Sequence, residues 1–333
     1  MKKTTGGQRE KRKEKRRIGF IALCVAVICA CLLSAGCAAP SMETSPTETP
    51  PTETPSTDNL TAAEIVTDDV VLENSGGSYT KAQIVIPANY EETKLPLVTL
   101  SHGFRGSMDS AGGNYLAESL AKAGIATIRM DFARCTDAAG KNQVNQYTVD
   151  TMVSDQLSAI EYMIGRYNVD PQRIGLYGRS LGGRVAMTMA NENKGGYDFK
   201  ALALVAPAGN GNALQYYMGG QDKWSAMKAE AVEKGSVVHQ KVILTPEFFT
   251  SIEDYVPSEN GSKFQHPVLV IYNTEDYVVL PQTSLECAES YSDVKITKIT
   301  SSKSPHGCEM GFQSSRIKDR LLKEITAFFK ENL

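Results

Sequence analysis

The amino-acid sequence predicts an α/β domain with a mostly parallel central sheet, helices on both of its faces and an inserted cap. Three features of the chain predict it. Short apolar runs alternate with longer helix-compatible stretches, the pattern of a parallel sheet covered on both sides. One of these runs passes through Gly178-Arg179-Ser180-Leu181-Gly182 into a helix, the setting of a strained strand-to-helix turn that lifts a serine out of a sheet. Finally, residues 209–265 separate two core strands by far more than an ordinary crossover, which predicts an insertion of helices or irregular structure.

The amino-terminal end is not part of this domain. Nine basic residues and two acidic ones fill positions 1–17, an uncharged run follows over 18–36, and Cys37 comes next. This is the pattern of a secretion signal. An uncharged run of this length is also long enough to span a bilayer uncleaved. Either way the basic flank stays in the cytoplasm and everything after Cys37 lies outside the membrane. Removing residues 1–36 takes away a net seven positive charges, so the formal charge falls from −3 to −10. A body this acidic argues against nucleic acid as a partner.

Residues 37–59 are rich in Ser, Thr, Pro and Glu, with Pro46-Thr47-Glu48-Thr49-Pro50 repeated as Pro51-Thr52-Glu53-Thr54-Pro55. Such a segment buries no core. At about 3.1 Å per residue it is a tether reaching roughly 60 to 70 Å. The domain proper is 60–333, with the insertion at about 209–265. Of the seven cysteines, only Cys135, Cys287 and Cys308 fall within it. Three thiols without metal-ligand spacing read as buried and inert, with at most one bridge among them.

Taking the elements in order, residues 65–73 and 79–86 read as a strand pair around the turn-forming Asn74-Ser75-Gly76-Gly77. Apolar strands follow at 97–101, 125–130, 174–177, 201–206, 268–272 and 294–299. Helices lie between or after them at 115–123, 149–167, 181–191, 281–290 and 317–329. Gly178 and Gly182 leave no side chain where the turn before the 181–191 helix brings two backbones together.

A serine hydroxyl needs a base within hydrogen-bond reach, and the base needs an acid to orient it. With this type of turn the partners follow in the order serine, acid, histidine. His102 precedes Ser180, and His239 and His266 precede the acid loop, which leaves His306, in Ser304-Pro305-His306-Gly307 after the last strand. The acid comes from Asn273-Thr274-Glu275-Asp276, where Asp276 is preferred and Glu275 is the alternative. Two N–H donors are expected to face a developing oxyanion: that of Leu181, directly after the serine, and that of Phe104, in the loop 101–106. His102 is expected to hold that loop by hydrogen bonds rather than to act as a base. In the insertion, Tyr216, Tyr217, Trp224, Phe248 and Phe249 either wall a substrate pocket or pack the insertion's own core.

These motifs, in this order, resemble the α/β-hydrolases over about 72–333. Within that superfamily the chain is similar to bacterial cinnamoyl and feruloyl esterases. They have an analogous His-Gly-Phe loop and a strand ending in Ala-Pro-Ala, here Ala206-Pro207-Ala208, which opens a cap over the acyl pocket. The chain departs from them at Ala133-Arg134-Cys135-Thr136, where they carry a glycine-rich turn. The resemblance implies hydrolysis of a small-molecule carboxylic ester through an acyl-serine, with no metal or organic cofactor. Leu33-Ser34-Ala35-Gly36-Cys37 resembles the lipobox of bacterial lipoproteins, with Ser34 in place of an aliphatic residue. That resemblance implies acylation of Cys37 and a lipid-anchored, extracytoplasmic domain. A serine peptidase or acyl transferase on the same scaffold fits the same residues. A non-catalytic solute-binding lipoprotein shares the signal and tether but gives no reason for the ordered serine, acid and histidine. The sequence leaves the oligomeric state open.

Overall fold

The computed structural model describes residues 64–73, 77, 79–132 and 147–333, all within one unit, Thr57–Leu333. The expected signal and tether, Cys37, Cys135 and the departure at 133–136 lie outside the described residues.

Strands β1 (Ile65–Glu73) and β2 (Tyr79–Pro87) pair antiparallel from Ile65 opposite Pro87 to Glu73 opposite Tyr79. The remaining strands of the main sheet are β3 (Leu95–Ser101), β4 (Ala126–Met130), β5 (Val169–Arg179), β6 (Ala201–Val205), β9 (Val268–Asn273) and β10 (Val294–Ile299). Their spatial order is β1-β2-β4-β3-β5-β6-β9-β10. β2 meets β4 antiparallel, and every neighbouring pair from β4 to β10 is parallel.

The apolar runs are continuous because both faces of the inner strands are covered. Along β6, Leu202 and Leu204 join one core while Ala201, Ala203 and Val205 join the other; along β9, Val268 and Val270 oppose Leu269 and Ile271 in the same way. The first core also takes Met152, Ile160 and Met163 of α2 (Val149–Arg166) and Val185 and Met189 of α3 (Leu181–Asn191). The second takes Leu116 and Leu120 of α1 (Gly113–Lys122) and Leu321, Ile325 and Phe329 of α8 (Arg316–Asn332). Helix α2 begins on a capping box in which Thr148 Oγ1 accepts from Thr151 N and Thr151 Oγ1 accepts from Thr148 N. A cap of this kind contributes about 1 kcal/mol.

β5 starts five residues earlier than its apolar run, at Val169, because Leu95 of β3 pairs with it there before a register shift at Leu97. Between β6 and β9 the chain forms α4 (Ala213–Tyr217), α5 (Gln221–Lys234), the antiparallel pair β7 (Val237–His239) and β8 (Val242–Leu244), and α6 (Pro246–Glu253). After them, α7 (Pro281–Glu289) separates β9 from β10. The β7–β8 hairpin was not among the expected elements. Its turn residues, Gln240 and Lys241, both have positive φ, as a two-residue hairpin turn demands, without the Asn or Gly that usually signals one.

Trp224, Phe248 and Phe249 are fully buried and pack on one another, with ring centroids 4.8 Å (Trp224–Phe249) and 5.5 Å (Phe248–Phe249) apart. They join the first core beside the sheet and helices and do not form a separate one, while Tyr216 is half exposed. The segment is fastened to α3 by Arg184, whose guanidinium donates to the carbonyls of Ala208 (3.3 Å), Asn210 (3.0 Å), Ile252 and Tyr255. Burial pulls the pKa of Arg184 down to about 10.

Candidate active site

Ser180 stands between β5 and α3 with φ 54° and ψ −122°. A non-glycine residue in this region costs of order 1–3 kcal/mol, a strain found where function needs it. The backbone around it holds the turn: Ser180 N donates to Val205 O (3.0 Å), and Ser180 O accepts from Arg184 N (3.2 Å) and Ala208 N (3.0 Å). The two flanking glycines are required by contact. A Cβ on Gly178 would lie 2.3 Å from Gly182 O, and one on Gly182 would lie 2.2 Å from Ser101 O.

His306 and Asp276 meet on loops after β10 and β9. The ring Nδ1 is 2.8 Å from Asp276 Oδ2, and the Asp276 side chain is 1% exposed. The other carboxylate oxygen, Oδ1, accepts from Val278 N (2.8 Å) and Val279 N (3.1 Å), which leaves Oδ2 for the ring. Glu275, the alternative acid, makes no hydrogen bond or ion pair with the ring; its N–H donates to Asn273 Oδ1 (3.2 Å). Burial lowers the pKa of His306 most strongly; the Asp276 hydrogen bond acts against this, and Arg179 adds to the lowering.

Ser180 and His306 line one cleft of about 60 Å³, together with Gly103, Phe104, Arg179, Ala213, Leu214, Tyr217, Val278 and Val279. Ser180 Oγ makes no direct hydrogen bond with the ring. Such contacts commonly tighten only when substrate is bound. The N–H groups of Phe104 and Leu181 donate to no acceptor among the described residues and remain available to a ligand. His102 is held in one tautomer: its Nδ1–H donates to Gly103 O (2.8 Å) and its Nε2 accepts from Phe132 N (3.1 Å). It therefore shapes the 101–106 loop and is placed away from the base position. Of the five insertion aromatics, Tyr217 alone lines the cleft. Its ring lies 6.1 Å from that of Phe104, which also packs on Tyr147 and Phe248.

Three residues in this arrangement escaped the sequence reading. Gly103 does more than loosen its loop, since a Cβ there would lie 3.0 Å from Ser180 Cβ. Asn273, fully buried at the end of β9, joins the two loops: its Nδ2 donates to Ser301 O (2.7 Å) and Pro305 O (2.9 Å), and its Oδ1 accepts from Ser301 N and Glu275 N. Nothing in one sequence distinguishes an asparagine at a strand end from a turn former. Arg179 donates to His306 O (3.0 Å), and the only signal for it is a charged residue next to the elbow serine.

A strained serine between a parallel strand and a helix, sharing a cleft with a carboxylate-paired histidine, defines an α/β-hydrolase. The chain belongs to the prolyl oligopeptidase family (Peptidase_S9), whose model matches residues 118–333. It is 24% identical over 218 residues to an uncharacterized 31.7 kDa protein of the traX-finO intergenic region of Escherichia coli, covering 57% of this chain and 75% of that protein. Among solved structures it resembles Est1E from Butyrivibrio proteoclasticus with ferulic acid bound (TM-score 0.59, 20% identity, 79% of this chain and 96% of that one). It also resembles the acetyl xylan esterase from Paenibacillus sp. R4 (TM-score 0.59, 16% identity, 84% and 87%). At these identities the structural likeness speaks for the fold.

Proposed function

We propose that this hydrolase is a serine esterase that cleaves a carboxylic ester through an acyl-serine on Ser180. The observation that carries the reading is the common cleft of Ser180 and His306, with the far side of the His306 ring anchored 2.8 Å from Asp276. Ser180 Oγ attacks the ester carbonyl carbon while His306 Nε2 takes its proton, and Asp276 holds Nδ1–H and balances the imidazolium. The N–H groups of Phe104 and Leu181 receive the oxyanion, each worth about a hundredfold to a thousandfold in rate. Collapse expels the alcohol, protonated by His306. A water activated by the same ring then attacks the acyl carbon, releases the acid and restores the serine.

Feruloyl-type and short acyl esters are the substrate classes to try first, since the structural neighbours include a ferulic acid complex and an acetyl xylan esterase. The family description favours a second reading, hydrolysis of a peptide bond by the same steps. We place the domain outside the cytoplasmic membrane, tethered through a lipid on Cys37, on the strength of the signal and the lipobox-like sequence. A solute-binding role without catalysis leaves the strained serine and its paired histidine unexplained.

Labelling with a fluorophosphonate probe tests the nucleophile. Wild type is expected to label and Ser180→Ala is not; equal labelling would remove Ser180 from the mechanism. A panel of cinnamoyl, short-chain and long-chain esters beside proline-containing peptides separates the two readings, because cleavage of peptides with inert esters would move the protein to the peptidase class. Incorporation of labelled palmitate into wild type but not into Cys37→Ser is expected if the lipid is the anchor; a Cys37→Ser protein cleaved and released normally would mean that lipidation was not the tether.

A further inference from the structure

Two consecutive carbonyls of the histidine loop are held by side chains from two different strands. Asn273, at the end of β9, takes Pro305 O, and Arg179, at the end of β5, takes His306 O. Arg179 is adjacent to Ser180 in the chain, so one residue links the strand that carries the serine to the loop that carries the ring. The same guanidinium lies under the 101–106 loop: a Cβ on Gly103 would be 3.5 Å from Arg179 Nη1. Arg179 forms no ion pair among the described residues, and its Nε is buried without a hydrogen-bond partner. Arg179 is half-buried at the edge of the cleft, where a cation without an ion-pair partner is costly to hold, so a carbonyl contact alone is a poor reason to keep one.

The charges that face His306 are few. Asp276 approaches from the β9 loop and Arg179 from β5. The ionisable neighbours of Arg179 are Tyr177, Cys308 and Asp276 itself; burial pushes the tyrosine up and the thiol up to about 12, so those two stay neutral in the working range. The cation therefore acts on the ring opposed mainly by the Asp276 carboxylate.

We propose that Arg179 is a positioning residue for His306: its guanidinium fastens the His306 carbonyl to the serine strand and sets a positive charge beside the ring. The proposal rests on the reading of His306 as the base. In the first step the proton moves from Ser180 Oγ to His306 Nε2, so a ring that is already protonated has no room for it. A neighbouring cation disfavours the imidazolium and the Asp276 carboxylate favours it, both before and after the proton has moved, so removing the cation shifts the balance towards the protonated ring.

The test compares wild type, Arg179→Lys, Arg179→Gln and Arg179→Met on one activated ester across the acidic and neutral range. The Met variant is expected to lower kcat about tenfold with KM within about twofold, and to move the acid limb of kcat/KM up by roughly half to one pH unit. The Gln variant, also uncharged, is expected to show the same displaced limb and stands in for Met if that protein does not fold. The Lys variant keeps the charge without the planar fork, so its limb is expected to stay at the wild-type position while kcat falls. An acid limb unmoved in both uncharged variants would overturn the proposal, as would a Lys limb displaced as far as theirs. His306→Ala separates the two levels: full ester turnover by that variant would overturn the assignment of the base and this proposal with it. A dead His306→Ala enzyme beside unmoved Arg179 limbs would overturn this proposal alone.

Discussion

Asn273 Oδ1 accepts from both Glu275 N and Ser301 N, so one buried amide faces the start of the loop that carries Asp276 and the start of the loop that carries His306. With the two carbonyls it holds through Nδ2, the side chain makes four hydrogen bonds, three of them to the loop after β10. Asn273→Ala would leave these backbone groups unsatisfied in a dry site, at about 1–3 kcal/mol each where water cannot replace the amide. We expect a loss of about 2–5 kcal/mol in urea unfolding. We also expect kcat to fall by at least about tenfold with KM little changed, because the ring and its acid lose their common support.

The two neighbouring carboxylates should behave very differently. Asp276→Asn can still approach the ring but favours the wrong tautomer, and on the precedent of serine proteases kcat is expected to fall by about 10⁴. Glu275→Gln, whose side chain forms no hydrogen bond or ion pair with the ring, should stay within about twofold of wild type. Steady-state kinetics on one ester measure both.

Gly103→Ala introduces a methyl group 3.0 Å from Ser180 Cβ and 3.4 Å from its Oγ, closer than ordinary contact, and the serine backbone is too firmly held to yield. The loop must therefore shift and carry the Phe104 N–H with it. A loss of about a hundredfold or more in kcat is expected, with slowed fluorophosphonate labelling. Circular dichroism and the unfolding midpoint should remain near wild type, since Phe104 is the loop's sole apolar side chain and packs on a core from the edge.

The direction of the His306 shift gives a pH prediction. The ring works as a base only when neutral, and burial, its largest influence, lowers its proton affinity. Activity should therefore persist below the pH at which an exposed histidine, of pKa about 6.5, is half protonated. The acid limb of kcat/KM, which reports the free enzyme, is the quantity to measure.

The sheet, its flanking helices and the place of Ser180 were legible because each rests on a local rule: apolar runs of strand length, periodic helices, and glycines where backbones touch. His306 was legible by order, and Asp276 could be ranked but not separated from Glu275, because the choice depends on a turn closed by Val278 N and Val279 N. The hairpin 237–244 was hidden because its turn residues carry no signature. Asn273 and Arg179 were hidden for another reason. Their partners are carbonyls, which every residue has, so no pairing of side-chain types marks them.

Arg184 carries a consequence for how substrate reaches Ser180. Its guanidinium bridges the nucleophile helix to carbonyls at both ends of the segment that follows β6, near Ala208 and near Tyr255. Swinging that segment outward as a rigid flap would strand a cation in apolar surroundings, with no carboxylate moving to meet it. Entry to the site therefore falls to small rotations of side chains at its mouth, Tyr217 and Phe104 first, and the enzyme should behave as a doorway with a fixed frame.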